Sequence, residues 1–110
     1  MLEVECQILI KRNGVCFLGP TKVELLQEIK DSGSLSQASK KMKISYQHAW
    51  TIVDEMNKAA PEPLVVKQRG GANGGGAVLS SYGEMILTEY FIIRQQFLNL
   101  AKQINVDINI

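Results

Sequence analysis

The 110-residue sequence predicts a mainly α-helical domain with small β elements: a winged helix-turn-helix with an N-terminal β-hairpin and a long C-terminal helix. Three observations predict this fold. Two capped helical segments are separated by a tight turn, a glycine-rich loop lies between two strand-like runs, and a heptad pattern fills the final quarter of the chain. The length supports one domain, with the hairpin at 1–19, the winged helix-turn-helix at 20–80 and a helix suited to dimerisation at 81–104.

The N-terminal hairpin is predicted by alternation and by one turn signal. Apolar and polar residues alternate through Val4–Lys11, as in a strand with one buried face. Asn13-Gly14 favours a type I′ turn, and a second strand follows at Val15–Gly19. This turn sets two cross-strand pairs, Lys11 with Cys16 and Ile10 with Phe17.

The two cysteines are expected to be free thiols, buried or half-buried. The hairpin places Cys6 and Cys16 on opposite faces, which excludes a disulfide between them. A structural zinc site needs about four Cys or His ligands, and the sequence adds only His48. We therefore expect neither a metal site nor another cofactor.

Helical spacing and capping residues define the middle of the chain. The first helix is predicted over Pro20–Asp31 and ends at Gly33, a plausible left-handed cap. Two further helices follow serine caps, with a tight turn between them and prolines after the second. Ser34 precedes the helix Leu35–Met42, and Ser45 precedes the helix Tyr46–Ala60.

The last helix is predicted to open at Ser81, to run from Tyr82 to about Ile104, and to leave Asn105–Ile110 as a frayed tail. Its apolar positions form a heptad seam, which is typical of a helix that pairs with a second copy. The predicted dimer-interface residues are Ile86, Tyr90, Ile93, Phe97, Leu100 and Ile104.

The glycine-rich stretch between the predicted strands Leu64–Arg69 and Ala77–Ser80 is interpreted as a wing, the β-hairpin of a winged helix. A phosphate-binding P-loop requires a lysine where Gly76 stands, and a dinucleotide fingerprint requires a third glycine where Leu79 stands. Glycines without side chains allow close approach to a DNA backbone. A flexible hairpin tip without a ligand is the alternative.

The third helix is the candidate recognition helix, because its N-terminal half carries hydrogen-bonding side chains and no acid. Trp50 is interpreted as a packing residue rather than a base-stacking one. Solvated helix faces are the alternative for each polar residue. The candidate DNA contacts are Ser45, Tyr46, Gln47, His48 and Thr51 in this helix, Ser36 and Gln37 in the preceding one, and Lys67, Arg69, Gly71, Asn73 and Gly74 in the wing.

Charge and composition set the remaining limits. The net charge is +1, so DNA binding must depend on the local distribution of charge. Neither a nucleophile with a base nor a pair of facing carboxylates can be assembled, so an enzyme is not predicted. The sequence shows no signal peptide or membrane span, and we expect a cytoplasmic protein.

Three segments together resemble the N-terminal DNA-binding domain of the ModE-type, molybdate-responsive transcriptional regulators. They are Gly33–Asn57, Gly70–Glu84 and the long helix, in one register over about residues 20–104. The most specific marks are Ile44-Ser45-Tyr46 followed by Ala49-Trp50, and Gly-Gly-Gly-Ala-Val-Leu before Tyr82-Gly83.

The resemblance implies a LysR-type winged helix-turn-helix whose homodimer binds a palindromic operator in double-stranded DNA, near molybdenum-related genes. A basic residue often follows the Ser-Tyr pair in this family, and Gln47 stands there, so we expect a different operator sequence. ModE regulators continue into molbindin domains, whereas this sequence ends at Ile110. We therefore expect a separate molybdate-binding protein, another signal, or no metal control. A rival hypothesis is a winged-helix protein-interaction module that does not bind DNA.

Overall fold

The computed structural model describes residues 1–68 and 76–110, and its helices and strands follow the predicted order. The winged helix-turn-helix, mainly helical with a hairpin before it and a long helix after it, is confirmed. The elements are β1 (Ile10–Arg12), β2 (Val15–Leu18), α1 (Pro20–Ser32), α2 (Leu35–Met42), α3 (Tyr46–Ala59), β3 (Val65–Lys67), β4 (Ala77–Leu79) and α4 (Ser81–Asp107).

The core lies where α1, α2 and α3 meet, closed by β2, the wing strands and the first turns of α4. Each helix contributes one apolar face, because residues three and four apart share one side of a helix. Removing this apolar surface from water is the main stabilising term of the fold. The fully buried side chains include Leu18, Leu25, Leu26, Ile29, Leu35, Val53, Met56 and Leu64.

The caps of α2 and α3 and the end of α1 are those that the sequence predicts. Ser34 accepts a hydrogen bond from the N–H of Gln37, and Ser45 accepts one from the N–H of His48. Gly33 ends α1 in the left-handed region, with φ of 67°, and donates its N–H to Ile29. These caps satisfy backbone groups that the helices leave unpaired, and they set the turn between α2 and α3.

The wing base is a two-stranded antiparallel sheet, with Val65 opposite Leu79 and Lys67 opposite Ala77. The N–H of Ala77 also donates to the carbonyl of Gly33, at 3.2 Å. The wing is thereby attached to the turn that precedes α2. Within the described residues, three residues of each strand pair regularly, so Leu64, Gln68 and Ser80 lie outside the strands predicted to contain them, and Arg69 lies outside the described residues.

The first predicted strand is wrong over most of its length. Only Ile10–Arg12 pairs with β2. Lys11 lies opposite Cys16 as predicted, but Ile10 lies opposite Leu18 rather than Phe17, because the register shifts between the first two residues of β1. A bulge of this kind adds one residue to one strand, and alternation alone does not reveal it.

Both cysteines are free, as predicted, and only the burial of Cys6 differs from the prediction. Cys6 is exposed and Cys16 is half-buried. The strand that was expected to bury Cys6 does not form there, so its thiol has no sheet face to pack against.

In place of that strand, an extended N-terminal strap, residues 4–8, lies along α4. The side chain of Asn105 bonds both backbone groups of Val4: Oδ1 accepts from its N–H at 2.6 Å, and Nδ2 donates to its carbonyl at 3.1 Å. Tyr90 donates its hydroxyl to the carbonyl of Ile8 at 2.9 Å. The predicted frayed tail is therefore wrong at its start, since α4 continues to Asp107 and uses Asn105 to hold the strap.

The Tyr90 contact makes stability depend on alkaline pH. Burial raises the pKa of the Tyr90 hydroxyl, and the charge of Arg94 opposes this only in part. The folded chain therefore keeps this proton at a pH of about 10, where half of the unfolded chains have lost it. The resulting stability is complete below that pH and declines as the pH rises above it.

We expect Tyr90→Phe to lower the free energy of unfolding by about 1 kcal/mol at neutral pH, because one partly buried hydrogen bond is lost. The variant should also lose less stability than the wild type between about pH 8 and about pH 11. Thermal unfolding followed by circular dichroism measures both, with the exposed Tyr46→Phe as the control. Equal alkaline losses in the wild type and Tyr90→Phe would contradict the assignment.

The C-terminal half of α4 projects from the core. A compact chain of this length has a radius of gyration of roughly 13 Å, whereas the observed value is 16.2 Å, with extents of 56 × 30 × 20 Å. A helix of 27 residues accounts for the difference, since it is about 40 Å long. Apart from the strap, this part of the helix is open to a partner.

Candidate nucleic-acid interface

The candidate recognition helix α3 presents a polar face opposite its buried one. Its inner side holds Ala49, Ile52, Val53 and Met56 in the core. The polar positions of its first turns are consequently turned outward. Exposed side chains there are Ser45, Tyr46, Gln47, His48 and Thr51, all candidate DNA contacts.

Hydrogen bonds within α3 leave donors available on this face. Ser45 uses an oxygen lone pair to accept from the N–H of His48, so its hydroxyl proton can still be donated. Thr51 donates its hydroxyl to the carbonyl of Gln47 at 3.1 Å, which holds that side chain along the helix. The amide of Gln47 is exposed and can offer a donor and an acceptor together, as adenine recognition requires.

A shallow groove of about 320 Å³ separates α3 from the wing base. Its walls combine an aromatic ring, a cation and polar groups of the recognition helix. The ammonium of Lys67 lies 4.2 Å from the centroid of the Trp50 ring. The groove is lined by Gln47, Trp50, Thr51, Asp54 and Lys67.

The acidic residues of α3 are placed away from its N-terminal half, and both are paired. Asp54 lies 3.6 Å from the ammonium of Lys58, and Glu55 lies 4.0 Å from that of Lys22. Exposed pairs of this kind add little stability. They do reduce the negative charge that α3 presents beside a nucleic-acid backbone.

The N-terminus of helix α2 lies beside the wing base, where Ser34 pairs with Gly76. Gln37 is exposed, whereas Ser36 is half-buried and its carbonyl accepts the hydroxyl of Ser39. At the other end of the helix, Lys40 and Lys43 are exposed, and Lys41 lies 3.4 Å from Glu28. Of the two predicted phosphate contacts in this helix, Gln37 is therefore accessible and Ser36 only partly so, and the basic side chains lie toward the opposite end of the helix.

The remaining predicted wing contacts lie outside the described residues. They are Arg69, Gly71, Asn73 and Gly74. The last wing bond within the described part of the chain is from the N–H of Gln68 to the carbonyl of Gly76, at 2.9 Å. The place of Arg69, Gly71, Asn73 and Gly74 in the interface stays a prediction.

The predicted dimer seam of α4 has a buried or half-buried first part and an exposed second part. Tyr90 is 2% exposed and bonded to Ile8 of its own chain, and Ile86 and Ile93 are half-buried. The next three seam positions have 41% to 51% of their surface exposed; they are Phe97, Leu100 and Ile104. The apolar surface available for a second copy is thus concentrated in the projecting half of the helix.

The structure also shows two contacts that the sequence did not reveal. One is the pair of hydrogen bonds from the Asn57 side chain to the backbone of Leu64 and Val65. The other is the cation–π contact between Lys67 and Trp50. Both join groups that meet only when the wing folds back on α3, and neither has a spacing signal in the sequence.

Other site classes find no support in the described part of the chain. No group of three or more His, Cys, Asp or Glu residues that could hold a metal ion occurs among residues 1–68 and 76–110. In the same ranges, no helix is both long enough and apolar enough to cross a membrane.

The fold and this exposed face define the class of protein: a winged helix-turn-helix whose candidate recognition helix lies beside the wing base. Comparison with known proteins gives the particular group. The chain is 40% identical over 95 residues to the transcriptional regulator ModE of Haemophilus influenzae, which covers 86% of this chain. It is 37% identical over 94 residues to the DNA-binding transcriptional dual regulator ModE of Escherichia coli.

The chain is therefore homologous to the ModE transcriptional regulators over most of its own length, and the resemblance found in the sequence is confirmed. A molybdenum-pterin-binding protein, MopB of Rhodobacter capsulatus, is 33% identical over 103 residues. The chain spans 36% to 38% of the length of these three relatives. A scan against protein-family models finds no match.

Proposed function

We propose that this chain is a DNA-binding transcriptional regulator that acts as a homodimer on a palindromic operator. The observation that carries the proposal is the acid-free, exposed N-terminal half of α3 beside the wing base. Homology to the ModE regulators supports it. The relatives' names refer to molybdenum transport and to molybdenum-pterin binding, so we infer molybdenum-related target genes. No catalytic role is proposed.

Helix α3 enters the major groove with its N-terminal residues toward the base edges. Gln47 can bond an adenine with both ends of its amide, and Tyr46 can donate its hydroxyl to a phosphate. The α2 N-terminus, with Ser36 and Gln37, and the wing, with Lys67 and Arg69, fix the register by contacts to the backbone.

Dimerisation supplies the second half of the operator contact. The exposed positions Phe97, Leu100 and Ile104 follow heptad spacing on the projecting half of α4. An isologous pairing of two such helices would relate the two copies of α3 by a two-fold axis, which matches the symmetry of a palindromic operator. Successive major grooves on one side of DNA are about 34 Å apart, which sets the half-site spacing that we expect.

A binding titration tests the proposed function. Duplexes are first selected from a random library by the wild-type chain, and Kd is then measured for a selected and a random duplex at two salt concentrations. We expect log K to fall as log salt rises, and the Tyr46→Ala/Arg69→Ala double variant to bind the selected duplex roughly 30- to 100-fold more weakly.

Lys30→Ala is the control, since it removes a positive charge from an exposed position in the last turn of α1 that is not among the proposed DNA contacts. Its affinity for the selected duplex should stay within about twofold of the wild type. Equal binding by the double variant and the wild type would show that these residues are not DNA contacts. Failure to bind any duplex at low salt would instead favour the protein-interaction module.

A further inference from the structure

Helix α3 holds the wing base at two places. At the start of β3, the Asn57 amide donates to the carbonyl of Val65 at 3.0 Å and accepts from the N–H of Leu64 at 2.9 Å. At its end, the ammonium of Lys67 lies over the ring of Trp50. Since residues 50 and 57 are seven apart, they lie on one side of α3, about 10 Å from each other. The hairpin is therefore attached to the helix at two separated points.

The Trp50 ring is itself held in place. It is half-buried and packs against the hydrophobic core. The ring of Tyr46, one turn earlier, meets it edge-on, with centroids 6.3 Å apart and an interplanar angle of 84°. Edge-to-face packing is a preferred aromatic geometry. Trp50 thus offers Lys67 a fixed surface.

Lys67 occupies the end of β3 that is nearer the wing loop. The next residue, Gln68, makes the last wing bond of the described chain. The ion pairs found among residues 1–68 and 76–110 do not include Lys67. Within those residues, its contact with the Trp50 ring is accordingly the interaction that locates its ammonium, and a change at Trp50 would release this end of the hairpin from α3.

We propose that Trp50 is a positioning residue that, through Lys67, fixes the angle between α3 and the wing. This inference rests on the proposed function. When helix and wing are held at one angle, base contacts and backbone contacts form together on a matching sequence. Binding to random DNA depends mainly on charge and needs no such match. Loss of the contact should therefore reduce sequence discrimination more than it reduces binding to random DNA.

The test is a double-variant cycle on the full chain, with Trp50→Leu, Lys67→Met and both together. Kd is measured for the selected and the random duplex over a salt series. Each single change should lower the selected-to-random affinity ratio by about two- to fivefold, the effect of an exposed cation–π contact. Lys67→Met should in addition weaken binding to both duplexes and reduce the salt slope, because it removes a proposed backbone contact. The double variant should fall no further than the larger single loss.

Three controls separate positioning from general damage to the fold. Trp50→Phe keeps an aromatic face and should recover most of the ratio. Trp50→Leu should keep the wild-type salt slope, because it removes no charge. Lys30→Met removes a lysine elsewhere and should leave the ratio unchanged. Since Trp50 is the single tryptophan, its fluorescence emission in the folded chain should shift in Lys67→Met.

Each contrary outcome is distinct. Additive losses in the double variant, or equal losses on both duplexes in Trp50→Leu, would overturn the positioning role. Unchanged emission in Lys67→Met would overturn the contact itself. A wild-type chain that selects a duplex while the cycle is additive contradicts this inference alone. A wild-type chain that binds no duplex contradicts the proposed function, and the inference with it.

Discussion

Gly83→Ala should lower the free energy of unfolding by about 3 kcal/mol, the upper part of the range for overpacking. Gly83 is buried in the first turn of α4, against the chain that enters β3. An added Cβ would lie 2.9 Å from the carbonyl carbon of Leu64 and would clash with its oxygen. That oxygen cannot move freely, because it accepts the N–H of Ser80 at 2.8 Å.

The expected loss of stability is informative because a glycine-to-alanine change within a helix usually increases stability. Alanine is the better helix former by about 1 kcal/mol, so propensity alone predicts stabilisation. Chemical denaturation of the wild type and Gly83→Ala measures the difference. Thr88→Ala, at an exposed position of the same helix, is the control and should change stability by less than about 0.5 kcal/mol. A Gly83→Ala variant as stable as the wild type would show that α4 does not approach Leu64 so closely.

Local signals predicted the helical part of the fold. Ser34 and Ser45 are caps, and Gly33 is a left-handed terminator; each acts on backbone groups within a few residues, so the sequence contains the whole interaction. The last helix is an instructive exception. Ser81 was expected to open it, but Ser80 is the cap, because its hydroxyl oxygen accepts the N–H of Gly83.

Interactions between distant parts of the chain could not be predicted in this way. Val4 and Asn105 are 101 residues apart, and Tyr90 and Ile8 are 82 apart. Alternation in the N-terminal segment predicted a strand, but the backbone groups of Val4 are satisfied by an asparagine side chain instead. The backbone must be paired in either arrangement, and pattern alone does not identify the partner.

The candidate site shows the same division. The exposed positions of α3, such as Gln47 and Thr51, follow from helical periodicity once the buried face is known. The Trp50–Lys67 contact and the Asn57 bonds depend on where the wing folds, which periodicity does not encode. Tyr90 fits the heptad pattern equally well as a dimer contact or a core residue, and the strap decides for the core.

The seam of α4 leads to the largest expected effect on DNA binding. Leu100→Asp should make the chain monomeric, because each of two facing helices would bury an unpaired carboxylate. A dimer that binds two half-sites gains about 10²- to 10⁴-fold over its single domains, since the second contact is intramolecular. We therefore expect the affinity for a selected palindromic duplex to fall by about 100-fold or more. Sedimentation equilibrium and a binding titration measure the two effects.

Asn99→Asp is the matched control for Leu100→Asp. It adds the same charge one residue earlier, at an exposed position outside the seam, where the Asn99 oxygen already accepts a hydrogen bond from Gln95 at 2.9 Å. It should remain dimeric. If Leu100→Asp stays dimeric, the seam is not the interface. If it is monomeric yet binds the palindrome as tightly as the wild type, the two half-sites are not bound by one dimer. The two variants thus test dimerisation and the binding of both half-sites by one dimer separately, because only Leu100→Asp changes a residue of the seam.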